Sequence, residues 1–269
     1  MKLIKNKFAF GAVVYLLLCS FVFGQKNRNP TPPSINIGRN PTQPSRNFVS
    51  NSIPASRNFG MKVFNQYLNY NIKPNMSLSQ RQNIYKNGIG VMINSSNIYL
   101  KLSQSNPVTI AQKSERVRDL VKLAGYITGH KNFNVDATYQ QELKVNGHKV
   151  LGAQHPIRGI FITEDGLQGS FQEQLLLATH EFIHAEDCEN HFSQLQPGDS
   201  IERYESLEKE WSSRNVGLAM VGREFNTEAR AIVAVEGVTG PLSKEKLKEI
   251  RAWQAQVFKA GVDFNKKNF

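Results

Sequence analysis

Short apolar runs alternate with polar turns in the first half of the chain, and they predict strands. Residues 84–91 and 97–102 are two such runs on either side of the polar segment 94–96, which predicts two short strands joined by a turn. Residues 117–124 place apolar side chains at helical spacing instead, and this helix is expected to end near Gly129. A helix packed on a small sheet is the simplest arrangement of these elements.

A hairpin and a further strand follow the predicted helix. Residues 142–145 and 148–151 flank Asn146 and Gly147, and an Asn-Gly pair in this position is the strongest short-range signal for a tight hairpin. Residues 159–163 are mostly apolar and end in a polar turn, which predicts another strand. The middle of the chain therefore predicts a small mixed sheet.

The pattern in the last third of the chain is helical throughout. A turn is expected at residues 197–199, where Asp199 would cap a helix that runs towards Asn215. Helical spacing of apolar residues predicts two more helices, at residues 226–236 and 243–260. A mixed sheet with one helix, then an isolated helix, then helices only, predicts an α+β fold with a cleft between its two parts.

The isolated helix between these two parts carries the most informative stretch. Ser170 and Glu173 form a capping-box pattern with no Gly or Pro over the next 23 residues, so a helix is predicted to start near Phe171. Its apolar stripe comprises Leu175, Leu176, Thr179, Phe182 and Ile183. His180 and His184 are one helical turn apart and lie on another face of this helix.

Residues 180–184 read HEFIH, which matches the pattern HExxH. On a helix this spacing lets the imidazoles of His180 and His184 bind one Zn²⁺, while the glutamate beside the first histidine reaches the water that the ion activates. Glu181 is therefore the predicted general base. The pattern predicts hydrolytic zinc chemistry, and it leaves one ligand to be found.

A hydrolytic zinc site uses three protein ligands and leaves one position to water, so the two histidines need a partner. Glu228 is the first choice, because the neighbouring alanines let its helix approach the HExxH helix closely. Glu224, one turn earlier, is the competitor, and Glu236 is a weaker one. An acid in the first turn of a helix is also favourable in its own right, and Glu228 has this alternative explanation.

A third histidine and an aspartate nearby offer further ligands. In the pattern HExxHxxGxxH a close histidine completes the set, but here Asp187 replaces the turning Gly, Asn190 stands at the ligand position and His191 comes one residue late. Asp187 lies on the histidine face, where it could bind the metal or hold the second ring nitrogen of His184. Cys188 lies off that face and is expected to be a small buried residue.

The mixed sheet, the HExxH helix and the acid-bearing helices that follow resemble a zincin metallopeptidase of the kind that has glutamate as third ligand. Residues 180–187 and 228–230 are similar to the compact bacterial secreted and effector zinc proteases. The resemblance covers about residues 110–240, and only HExxH within it is specific. It implies a zincin-like domain that holds one Zn²⁺ per chain.

The resemblance also implies a site and a substrate. Glu181 would activate the water, Glu228 would complete the zinc site, and residues 159–163 would form a sheet edge that pairs with an extended peptide or protein substrate. Thermolysin-like sequences carry Asn before the ligand Glu and Asp four residues after it, where this chain has Thr227 and Ile232. This departure leaves the third ligand open.

A peptidase also needs a hydrogen-bond donor for the oxyanion, and His191, Tyr204 and Arg230 are the candidates. Two other functions fit the same residues. One is an exported binding or structural protein in which HExxH is vestigial. The other is a zinc amidase that acts on the cell wall, although the sequence carries no wall-binding repeat.

The N-terminus predicts export. Lys2, Lys5 and Lys7 precede the apolar run 8–23, so residues 1–24 are predicted to be a signal peptide that leaves no stable membrane insertion once cleaved. The bulky residue before Cys19 disfavours a lipoprotein cleavage site. Pro, Asn and Ser dominate residues 25–60, which predicts an extended leader or a pro-segment before a single domain at 61–269. The protein is therefore expected to be periplasmic or extracellular.

Charge and cysteine content narrow the function further. The chain carries 33 basic and 22 acidic residues, a formal net charge of +11, but the basic residues are scattered and alternate in sign with acids near the C-terminus. Nucleic-acid binding is therefore not indicated. Cys188 is the only cysteine beyond the predicted signal peptide, so an intramolecular disulfide is excluded and the core must supply the stability.

Overall fold

A computed structural model describes residues 47–145, 148–155 and 159–268 of the chain. The predicted signal peptide, Cys19 and the first part of the predicted leader lie outside these residues. The helices, in chain order, are α1 (Asn47–Asn71), α2 (Leu78–Gln104), α3 (Ile110–Ile127), α4 (Phe171–Phe192), α5 (Ile201–Arg214), α6 (Gly217–Thr239) and α7 (Lys244–Asn268). The strands are β1 (Ala137–Gln140), β2 (Lys144–Val145), β3 (His148–Lys149), β4 (Gly152–His155) and β5 (Gly159–Thr163).

The sheet has three strands in the order β1-β5-β4. Strand β1 runs parallel to β5, and β4 runs antiparallel to it. The predicted strand at 159–163 is confirmed, but β5 is the central strand, so the expectation that it forms the sheet edge is wrong. Strand β4 forms the edge that lies against α4. Strands β2 and β3 make the expected antiparallel hairpin around residues 146 and 147, which lie outside the description.

The two strands expected at 84–91 and 97–102 are instead parts of the long helix α2. A capping box between Ser77 and Gln80 starts this helix, and its buried residues recur at spacings of three and four: Gly88, Val91, Ser95, Ile98 and Leu102. Ser95 was expected in a turn, but its hydroxyl donates to the carbonyl of Val91 at 2.7 Å and is satisfied within the helix. Short apolar runs do not distinguish strand from buried helix, and the cap decides here.

Helix α1 also differs from the expectation, because it begins at Asn47 and passes through the predicted leader boundary at residue 60. Phe59, Val63 and Tyr67 recur every four residues and are buried in the main core, where α1 packs against α2. A Cβ at Gly60 would collide with Oγ of Ser96 on α2, so the helices are in close contact at this point. Phe59 and Gly60, at the end of the predicted leader, therefore belong to the folded domain.

The chain after α4 is helical, as predicted, with shifted boundaries. Ser200 caps α5 and accepts from the backbone of Arg203, whereas Asp199 accepts from the backbone of Gln196 in the preceding turn. The helix predicted at 226–236 is the latter part of the longer α6, which ends at Thr239 and has Gly240 as its C-cap with a positive φ of 97°.

Helix α4 lies at the centre of the fold and contacts α3, β4, β5 and α6. The α+β class is confirmed in a strongly helical form, with a small mixed sheet. Among the described residues, no helix combines the length and apolar character that crossing a membrane requires.

Candidate metal centre

The register of α4 is set at its N-terminus. Ser170 accepts a hydrogen bond from the backbone of Glu173, and the Glu173 carboxylate accepts one from the backbone of Ser170 at 2.8 Å, which confirms the capping box. The expected apolar stripe is buried, and so are the histidines on the neighbouring face. Because α4 is surrounded by α3, β4 and α6, every group on its middle turns must find its partner inside the protein.

His180 and His184 face each other across one turn of α4. Their Nε2 atoms are 3.0 Å apart and both side chains are fully buried, at 0% exposure. Two imidazoles can satisfy such a contact by sharing a proton or by binding a common cation. The helix thus delivers the two nitrogens that HExxH predicts.

Glu224 on α6 completes a group of three. Its Oε1 lies 3.4 Å from Nε2 of His184, and its Oε2 lies 3.4 Å from Nε2 of His180. One ligand atom from each of His180, His184 and Glu224 lies within 4.8 Å of the others, and Glu224 is 1% exposed. The structure therefore brings the competitor Glu224, rather than the first choice Glu228, to the face that the two histidines share.

Glu228 lies one turn further along α6 and contacts the other side of the His180 ring. Its Oε2 accepts a hydrogen bond from Nδ1 of His180 at 2.7 Å. The expected ligand is thus placed where it orients the histidine and increases its basicity, because Nε2 faces the cluster. With Glu224 taken as the ligand, an acid follows it by four residues, as in the thermolysin-like pattern. That spacing is a signal in the sequence that could have ranked Glu224 above Glu228.

The donor set fits a zinc ion. Two ligands on a tetrahedral Zn²⁺ with bonds of about 2.0–2.1 Å lie about 3.4 Å apart, and the separations here are 3.0 to 3.4 Å. Several buried polar atoms around the cluster also lack a hydrogen-bond partner among the described residues: Oε2 of Glu224, Oε1 of Glu228, Nδ1 of His184 and both oxygens of Glu181. A buried carboxylate either pairs with a cation or becomes protonated, and a metal ion among these atoms would supply the cation.

The charge state of each histidine in the cluster depends on the neighbouring carboxylates, and the reverse also holds. Burial opposes charge on His180, but the neighbouring carboxylates of Glu224 and Glu228 raise its pKa well above the ordinary value. Burial also opposes charge on Glu224, yet the neighbouring His184 and His180 hold the pKa of Glu224 far below its usual range. Burial lowers the pKa of His184. A protonated His180 is thus the counter-ion of Glu224, and a bound metal ion would take over that role.

Glu181 lies on the next face of α4, beside strand β4. A Cβ at Gly152 would lie 3.4 Å from Cγ of Glu181, so the strand passes close to this side chain. Burial raises the pKa of Glu181 to about 8, with His180 opposing the shift and Glu224 adding to it. The backbone of Gln154 on β4 lies close enough to favour the ionised form slightly. Glu181 is therefore next to both the candidate ligands and the sheet edge.

The remaining candidate ligands lie away from the cluster. Asp187, expected beside His184, instead accepts from Nη1 of Arg230 at 3.2 Å and lies 3.9 Å from Arg223. His191 contacts the carbonyl of Leu207 on α5 at 3.0 Å and packs on aromatic rings.

Cys188, Glu236 and the candidate oxyanion donors also lie outside the group of three candidate ligands. Cys188 is buried, as expected, and burial raises its pKa to about 11. Glu236 accepts from the backbone of Leu242 at 2.9 Å, at the C-terminal end of α6. Of the candidate oxyanion donors, Arg230 is paired with Glu186 and Asp187, while Tyr204 lines a cavity beside α4.

Trp211 and Trp253 are apolar positions of the predicted helices, but the sequence pattern did not indicate that they lie near the centre. Trp253 of α7 packs edge-on against His180, with ring centroids 5.8 Å apart. Trp211 of α5 lies under the guanidinium of Arg223, 3.8 Å from its ring centroid. Helices α5 and α7 therefore bound the centre on sides that the motif alone does not define. Comparisons with protein-family models, with curated proteins and with solved structures found no match to this chain.

Proposed function

We propose that this protein is an exported zinc-dependent peptidase, with Zn²⁺ held by His180, His184 and Glu224. The observation that carries the proposal is the convergence of two Nε2 atoms and a carboxylate from a different helix, within 3.0 to 3.4 Å of each other. Three protein ligands, rather than four, are typical of a hydrolytic zinc site. When bound, the ion would supply a water of lowered pKa and a Lewis acid for the scissile carbonyl.

The chain's own residues would do the rest. Glu181 would accept the proton of the attacking water and pass it to the leaving amine, since both of its oxygens lack a hydrogen-bond partner among the described residues. Glu228 would hold His180 in the orientation that aims Nε2 at the cluster. An extended peptide would lie along β4, the edge strand that passes over Glu181.

Metal analysis and activity test the proposal together. We expect about one zinc per chain in the purified protein, with zinc lost in His184→Ala and Glu224→Ala. Glu181→Gln should retain zinc and lose cleavage of unfolded protein substrates. The absence of zinc from a folded wild-type protein, or full activity of Glu181→Gln, would overturn it. Peptidoglycan should be assayed in parallel, because cleavage of wall amides alone would indicate the amidase alternative.

A structural zinc site in a non-enzymatic protein is the second candidate. It is favoured by burial, because the two histidines and Glu224 are at most 1% exposed, and structural sites are closed. This alternative predicts that zinc stabilises the fold while neither peptides nor wall fragments are cleaved. It also predicts that Glu181→Gln changes nothing except stability.

A further inference from the structure

A cavity of about 550 Å³ lies beside α4, and Ala185, which directly follows the candidate ligand His184, is one of its lining residues. A volume of this size is within the range of small-ligand sites. Its walls are mostly apolar and include Phe133, Val135, Cys188, Phe192, Leu195 and Tyr204. The last two come from the α4–α5 connection and from α5, so α5 forms one wall.

The cavity continues the face of α4 that carries Glu181. Ala185, Cys188 and Phe192 line it and follow Glu181 by four, seven and eleven residues, which places all four on one face over three turns. The opposite wall includes Gln154 and His155 of the edge strand β4. A peptide lying along β4 with its scissile bond at Glu181 would therefore have a neighbouring side chain directed at this cavity.

The lining disfavours a charged occupant. Burial raises the pKa of the Cys188 thiol to about 11, so it is neutral; the acid of the wall, Glu189, is exposed to solvent, and the wall also contains His155 of β4. A carboxylate buried among Phe133, Val135 and Phe192 would lose its hydration without gaining a cationic partner from them. An apolar side chain would gain from leaving water.

We propose that this cavity receives a bulky apolar side chain, aromatic or branched aliphatic, from a substrate residue next to the scissile bond. Tyr204 and Leu195 determine the size and polarity that it accepts. The assignment rests on the proposed function, because the position of the scissile bond is taken from Glu181. Both residues lie outside the HExxH helix and outside the main core, so changing them tests recognition without removing the metal centre.

The test is cleavage profiling of a diverse peptide library by mass spectrometry, with wild type, Leu195→Glu and Tyr204→Ala. Wild type should prefer Phe, Tyr, Leu or Met over Gly and Asp at one position beside the cleaved bond, by about ten- to hundred-fold in kcat/KM. Leu195→Glu should reduce this preference at least tenfold, and Tyr204→Ala should shift it towards Trp. Leu218→Glu, at a leucine that is 46% exposed on α6, is the matched control and should keep the wild-type profile.

A flat profile, or one that both variants leave unchanged, would overturn the assignment. Binding separates this failure from failure of the proposed function. If zinc-loaded wild type cleaves nothing, fluorescently labelled hexapeptides with a central Phe or a central Asp are titrated against wild type and Leu195→Glu. Binding of the Phe peptide at least tenfold tighter than the Asp peptide, with this difference lost in Leu195→Glu, would support the cavity. Equal binding of the two peptides would reject it.

Discussion

Glu228 accepts a hydrogen bond from Nδ1 of His180 at 2.7 Å, so the opposite nitrogen of the same ring faces His184 and Glu224. One imidazole is thereby held between two carboxylates that are one turn apart on α6. Glu224 is therefore the candidate ligand, and Glu228 is the residue that positions the ligand His180. The two roles predict different losses of zinc affinity when each acid is replaced.

Substitution of the two acids by glutamine should separate these roles. Glu228→Gln should weaken zinc binding by about 10- to 100-fold, because the ring loses a charged partner but keeps its ligand nitrogen. Glu224→Gln should weaken it more, since a carboxylate oxygen is lost from the ligand set. Competition with a chromogenic chelator measures both. A larger loss in Glu228→Gln would return the ligand role to Glu228.

Removal of the metal should destabilise the protein. At a free zinc concentration about 1,000 times Kd, the ion contributes about 4 kcal/mol to the free energy of unfolding. For a domain of this size we expect a chelator to lower Tm by about 8 to 16 °C. Differential scanning fluorimetry measures the shift. His184→Ala is the control, and its Tm should not respond to the chelator; an equal response in both proteins would argue against the site.

Packing of α1 against α2 can be tested at two glycines. Gly60→Ala should lower the free energy of unfolding by about 1 to 3 kcal/mol, because its Cβ would collide with Ser96 and approach the carbonyl of Met92 to 2.7 Å. Gly90→Ala on α2 is the matched control, since no atom lies within 4 Å of its Cβ position. It should stabilise the helix by up to about 1 kcal/mol. Urea denaturation measures both, and a neutral Gly60→Ala would indicate that α1 is not part of the domain.

An ionic cluster joins α4 to α6 near the centre and should show a pH-dependent contribution. Burial opposes ionisation of Glu186, but hydrogen bonding to His130 and the charges of His130 and Arg230 lower its pKa below the ordinary value. The stability that this group contributes is therefore fully present above its unfolded-state pKa of about 4.3 and is lost as the pH falls through its lower folded-state pKa.

Arg230→Met should therefore destabilise the protein by about 1 kcal/mol at pH 7, a modest value because the Arg230 side chain is 39% exposed. The difference from wild type should shrink as the pH falls below about 4. Arg214→Met, which removes an exposed pair with Glu210, should have little effect at either pH. A difference that grows on acidification would contradict the role of Glu186.

The regions where prediction failed share a physical reason. Residues 84–91 and 97–102 are short apolar runs, and nothing within the runs themselves distinguishes a strand from a helix that is buried along one side. The capping box of Ser77 and Gln80 was a local signal, and it specifies the start of α2. Glu228 and Glu224 lie on the same face of one helix, so their position on that face could not rank them, and only the acid four residues after Glu224 distinguished the two.

Local chemistry by itself determined the HExxH helix. Ser170 and Glu173 set where α4 begins, and the four-residue spacing of His180 and His184 then aligns their rings, because both effects act within one or two turns. The third candidate ligand, Glu224, depended on tertiary structure. Which acid reaches Nε2 is decided by the depth and rotation of α6 against α4, and these follow from core packing across residues distant in the chain. The same packing placed β4, rather than β5, at the sheet edge beside Glu181.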